Sequence, residues 1–155
     1  MKNMKFAKKS QSGFTLIELL VVIIIIGVLY AFVSPSIGGR QEDAKVSTSN
    51  LVLKNNFPQA IGSQYARSQD CAAITKADLV ARGLNEDTPF GDSWTVANTT
   101  VSTVQIQFPL ATANDSASAG ADINGVLQDA IAQGTNSINA SAFADPNLTI
   151  TYQCR

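Results

Sequence analysis

The chain has 155 residues, 11 basic and 12 acidic side chains, a formal net charge of −1 and no histidine. That length allows one ordinary domain plus an appended segment. The missing histidine removes the commonest general base and the commonest metal ligand together, so an ordinary hydrolase is hard to build. The small net charge hides an asymmetry. Lys2, Lys5, Lys8 and Lys9 precede Gly13, and the first acidic residue is Glu18. Taking those four lysines from the 11 basic residues leaves 7 against 12 acidic ones, so no basic surface for nucleic acid exists outside the leader.

Behind the lysines comes SGFTLIELLVVIIIIGVLYAF, and no charge follows from Leu19 to Gly39. At the α-helical rise, about twenty residues match the hydrocarbon of a bilayer. The basic leader places the N-terminus in the cytoplasm and everything after Val33 outside it. The β-branched run VVIIII is a poor helix former in water, but in lipid or an apolar core the backbone must bond internally and stays helical. Gly27 and Pro35 are candidate points of bending, or markers of the membrane boundary. Glu18 is the anomaly, because a lone carboxylate in hydrocarbon costs roughly 2.5 to 3.5 kcal/mol on insertion scales. Three kinds of processing compete. A secretory cut after the apolar run finds only a poor site in VLYAFVSPS. A plain anchor leaves Glu18 without a purpose. The third is a cut on the cytoplasmic side, between Gly13 and Phe14.

The stretch KKSQSGFTLIELLVVIIIIGVL resembles the class III signal of type IV prepilins and the related pseudopilins. Gly13, Phe14, Thr15, Leu16, Ile17 and Glu18 each match its pattern of basic leader, glycine, phenylalanine and apolar run with one glutamate. The resemblance implies that a membrane-embedded prepilin peptidase cuts after Gly13 and methylates the new amine of Phe14. It further implies that in a filament Glu18 of one subunit approaches the Phe14 amine of its neighbour. Each charge then offsets the other's desolvation, and helices out of register lose the pairing.

Further along, Leu51, Phe57, Ile61 and Tyr65 suggest an amphipathic continuation of the helix, kinked or restarted at Pro58. TKADLVARGL reads as a short helix with a Thr75/Asp78 capping box and Gly83 just past its end. NEDTPFGDS is rich in turn residues. WTVANTTVSTVQIQFPL reads as a hairpin turning at ANTT. ATANDSASAGAD reads as a surface loop, and INGVLQDAIAQG as a helix with Ile123, Val126, Leu127 and Ile131 on one face. LTITYQCR alternates as a terminal strand with Leu148, Ile150, Tyr152 and Cys154 inward. The expected fold is α+β, with a long N-terminal helix, apolar then amphipathic, packed against a head with an antiparallel sheet, as in type IV pilins. The expected divisions are leader 1–13, apolar helix 14–37, amphipathic half 38–68 and extracytoplasmic head 69–155. Cys71 and Cys154 fit no zinc or redox spacing. Outside the cytoplasm they read as a structural disulfide, the alternative being two unrelated buried thiols. Type IV pilins carry such a C-terminal bracket. Its width here is closer to the type IVb kind, whereas Phe14 and the short leader are closer to type IVa.

The acidic stretches NEDTPFGD and NDSASAGADIN do not have EF-hand spacing and read as solvated loops. Four sequons, at Asn98, Asn114, Asn139 and Asn147, arise easily in so polar a chain. No catalytic constellation, metal site or cofactor motif is expected. The function implied is a structural subunit, a major pilin, of a type IV pilus. It would be inserted in the inner membrane, processed, and assembled with copies of itself into an extracellular helical filament on the bacterial surface. Adhesion, motility, DNA uptake or conjugation would follow from that filament. Its partners would be prepilin peptidase, the assembly platform and motor ATPase, and the membrane before assembly. The alternatives are a pseudopilin of a type II secretion system, in which the disulfide bracket is more often absent, and a binding domain on a plain anchor.

Overall fold

The computed structural model of the chain describes residues 15–134 and 137–154, without the side chains of 32–38. The chain divides at Gly39/Arg40 into two units. Helix α1 (Leu16–Leu51) begins in the first and ends in the second. The second unit continues with a π-helical turn (Val52–Asn56), α2 (Phe57–Ser68), α3 (Lys76–Ala81), β1 (Thr95–Thr99), β2 (Thr103–Pro109), α4 (Ser116–Ala132), β3 (Ile138–Ala144) and β4 (Asn147–Gln153). The strands form one antiparallel sheet in the order β1-β2-β4-β3. This is the α+β architecture expected of a type IV pilin head.

Register is set by side-chain alternation. Val104, Ile106 and Phe108 on β2 stand opposite Tyr152, Ile150 and Leu148 on β4, and all six are buried. A one-residue slip of either strand would turn its set to solvent. Their partners across the core are Leu53, Phe57 and Ile61 from the π-turn and α2, and Ile123 and Leu127 from α4. Phe57 sits at the centre, stacked on Tyr152 at 5.8 Å and edge-on to Trp94 at 4.9 Å.

Pro58 explains the π-turn. Proline has no N–H, so Lys54 loses its ordinary helical donor. The Phe57 N–H bonds to the Val52 carbonyl, five residues back, instead of to Leu53. In that wider register Leu53 would need a donor from residue 58, which is again the proline. The orphaned carbonyl of Leu53 accepts instead from the Tyr152 hydroxyl at 2.9 Å. Burial pushes the Tyr152 phenol well above its ordinary pKa, so it stays a donor throughout the working range. Tyr152→Phe therefore leaves a buried carbonyl unpaired, and urea unfolding of the purified chain is expected to show a loss of about 1 to 3 kcal/mol. A loss too small to resolve would mean that this carbonyl finds another donor.

Helix α3 bears out the capping box. Thr75 Oγ1 and N–H both donate to Asp78, which holds the Asp78 carboxyl below its usual range. At the other end the Leu84 N–H reaches Leu79 and the Gly83 N–H reaches Val80, with Gly83 at φ 97°. That double bond pattern is the Schellman motif, and it needs a left-handed residue at this position.

Three expectations are corrected. The hairpin turns at Thr100–Ser102 rather than at ANTT. A bulge between Val96 and Asn98 keeps Asn98 and Thr99 in β1, and Thr100 Oγ1 accepts from the Ser102 and Thr103 N–H groups. The supposed loop ATANDSASAGAD is helical from Ser116, because the Asp115 side chain caps it by accepting from the Ser118 N–H. Its small residues are a packing face. Ala119 and Gly120 are buried, and a β-carbon at Gly120 would collide with the Phe143 ring. Val126 is exposed, and Ala130 takes the inward place beside Ile123 and Leu127.

Candidate functional site

The first unit presents an unusual surface. Every large apolar side chain from Leu16 to Tyr30 is exposed, from Leu20 at 43% to Leu16 at 83%. Apolar residues surround α1 on all sides over this stretch, so it has no polar face to give to water. Soluble monomers rarely leave so large an apolar patch uncovered. Among the described residues no helix is long and apolar enough to cross a membrane. The side chains described end at Ala31, and in sequence the apolar run continues through Phe32 and Val33.

The start of α1 is closed by Glu18, the one carboxylate of its apolar stretch. The Thr15 N–H donates to Glu18 Oε2 at 3.1 Å and the Thr15 hydroxyl to the same oxygen at 3.0 Å. In return the Glu18 N–H donates to Thr15 Oγ1 at 3.4 Å. This is a reciprocal capping box that satisfies donors left free at a helix start. Negative charge there is also favoured by the helix dipole. Thr15 is the residue the sequence reading missed as Glu18's partner, although its signal, threonine three places before glutamate, stands in TLIE. Gly13 and Phe14 lie outside the described residues, as does the cleavage expected between them. Gly27 and Pro35 both fall within α1, which runs to Leu51 before the π-turn at Val52–Asn56.

In the second unit Cys71 and Cys154 are joined in a disulfide, with Cα atoms 6.2 Å apart. Cys71 follows α2 by three residues and Cys154 follows β4, so the bridge ties the chain's last strand to the end of the helical segment. The Cys154 N–H also donates to Ser102 in the β1–β2 turn. One acidic side chain in each of the two candidate loops serves the fold. Asp92 accepts from the N–H and hydroxyl of Thr112, and Asp115 caps α4. Among the described residues no three His, Cys, Asp or Glu side chains come together as metal ligands. A hollow of about 540 Å³ runs beside β1, with Lys76 its only titratable lining residue.

An apolar helical stretch with a capping glutamate, preceded in sequence by a basic leader, a glycine and a phenylalanine, defines a class. The prokaryotic N-terminal methylation motif matches residues 8–33, and over that stretch the chain is similar to type IV pilin-like prepilins with a class III signal. The chain is similar to the type II secretion system core protein G of Pseudomonas aeruginosa, 48% identical over 47 residues, 30% of this chain and 33% of that protein. The corresponding protein of Vibrio cholerae is 42% identical over 50 residues, 30% of this chain and 34% of its own length. That of Escherichia coli K12 is 44% identical over 52 residues, 32% and 36% of the two chains. The likeness thus spans about a third of these relatives. No solved structure is matched.

Proposed function

We propose that this chain is a non-catalytic subunit of a helical filament, the pseudopilus of a type II secretion system. The observation that carries the filament reading is the apolar helix exposed on every side and headed by a prepilin motif. A surface of that kind is stable in only two settings, a bilayer before assembly and the shared core of many copies afterwards. The subunit would enter the inner membrane, lose residues 1–13 to prepilin peptidase, be methylated at Phe14, and be drawn into a filament by an assembly platform and motor ATPase. The relatives named as secretion proteins favour the pseudopilus, and with it a periplasmic location, over the surface pilus. One observation favours the major pilin of a type IV pilus instead. The disulfide bracket takes in Cys71 to Cys154, a separation of 83 residues, and this feature is closer to pilins.

Two measurements test this. Intact mass and N-terminal sequencing of the protein from its native membrane are expected to give a chain beginning at methylated Phe14. A chain still beginning at Met1, or beginning beyond Tyr30, would overturn the prepilin reading. Deletion of the gene is then expected to block export of folded enzymes while leaving surface fibres in place. Loss of fibres with intact export would reverse the choice in favour of the pilus.

A further inference from the structure

The charges of the head are sorted along the chain. Residues 40–82 hold six basic and four acidic side chains, whereas residues 83–154 hold seven acidic ones and no lysine or arginine. Among the described residues no ion pair joins the two sets. Two of the acidic groups, Asp122 and Asp129, are exposed on α4, and Val126 between them borders a hollow shared with Leu51 and Lys54 of the same chain. Asp122, Val126 and Asp129 are spaced four and seven apart, so they form one stripe, and all three are exposed. Gly125 beside them has nothing near its missing side chain, so a partner can approach the helix closely. The basic counterpart lies on α2 and after α3. A groove of about 320 Å³ is lined by Asn56, Gln59, Ala60, Ser63 and Arg82, with no carboxylate among its lining residues. Arg82 is fixed beside α2 by donating to Gln64 at 3.1 Å, and exposed Arg67 lies one turn past Ser63 on the same helix face.

We infer that the acidic stripe of α4 (Asp122, Val126, Asp129) docks into the α2 groove, between Arg67 and Arg82, of a second copy of this chain. The inference rests on the filament reading above and says which surfaces of the heads meet. The two patches are different surfaces of one chain and opposite in charge. A contact between them is therefore head-to-tail, and it repeats into an open helical array if the rotation does not close. Complementary charge also fixes register, since like charges brought together by a wrong register repel.

The test is charge reversal and rescue in the full chain, produced in cells with its assembly machinery and scored as filaments recovered by sedimentation. Asp122→Lys with Asp129→Lys is expected to cut the assembled fraction about tenfold at equal protein level, and so is Arg67→Glu with Arg82→Glu. The four changes together are expected to restore assembly to within about threefold of wild type. Melting of each purified variant checks the fold. If a reversal lowers it, the neutral pairs Asp122→Asn with Asp129→Asn and Arg67→Gln with Arg82→Gln decide instead, with losses of about threefold. Either pair assembling like wild type, or four changes no better than two, overturns the docking. Absence of filaments from the wild-type chain would overturn the filament reading itself.

Discussion

Replacing Cys71 and Cys154 with alanine is expected to cost the head about 4 to 5 kcal/mol of stability, the largest single effect within the fold. The bridge closes a loop of 83 residues' separation, and by chain entropy a loop of that size restrains the unfolded state by about that amount. Domains of this size have only about 5 to 15 kcal/mol in total, so the reduced head is left near its threshold. The position of the bridge adds a second reason. It anchors β4 immediately after Tyr152, which fills the core and satisfies the Leu53 carbonyl. With the end of β4 released, one strand's fraying opens both the sheet and the turn between α1 and α2. Thermal unfolding of the purified protein in detergent, with and without reductant, reads this directly. A fall in Tm on the order of 15 °C is expected for both the reduced protein and the double variant. Identical melting under all conditions would mean that the bracket restrains nothing that matters to the fold.

What could be read in advance follows a physical line. Leu148, Ile150 and Tyr152 alternate with threonines, and strict period two is a signal only a half-buried strand produces, so β4 was legible. The box at Thr75 and Asp78 was legible because capping is chemistry between residues three apart. Strand β3 was not foreseen. INASAFA has few β-branched residues and a bulge between Ile138 and Ala140 that breaks its alternation, and it is held in place by β4 and by α4. There Gln128 donates to the Ser141 carbonyl and the Ser141 hydroxyl donates to Asn124. The first turns of α4 were unforeseen for the same reason. Alanine, serine and glycine look like a loop until a neighbour such as Phe143 requires them to be small. The motif at the N-terminus was the clearest single feature, because its residues are fixed by recognition and not by tertiary packing. The partner of Glu18 within its own chain is Thr15, three residues away, a capping signal set inside the longer motif.

Substitutions at Glu18 separate the cap it forms with Thr15 from the intersubunit pairing proposed for it. Within one subunit the carboxylate acts as a cap, and capping needs only an oxygen acceptor. Between subunits the proposed role is to offset the charge of a neighbour's Phe14 amine, and that needs the negative charge itself. Glu18→Gln keeps the acceptor and removes the charge, whereas Glu18→Ala removes both. If capping were the whole function, the glutamine variant would assemble nearly as well as wild type, since losing a cap costs about 1 kcal/mol. If charge pairing dominates, each subunit added buries an amine with no partner, a loss of about 3 to 5 kcal/mol per contact. Both variants are then expected to be processed to Phe14 but to give filaments reduced by a factor of a hundred or more, with glutamine no better than alanine. Thr15→Val supplies the opposite control, since it breaks the box and keeps the carboxylate. It is expected to assemble within about fivefold of wild type, and sedimentation of filaments from equal amounts of processed subunit measures all three. Abundant filaments from Glu18→Gln would reduce Glu18 to a helix cap, and the cost of placing its charge in an apolar segment would again lack an explanation.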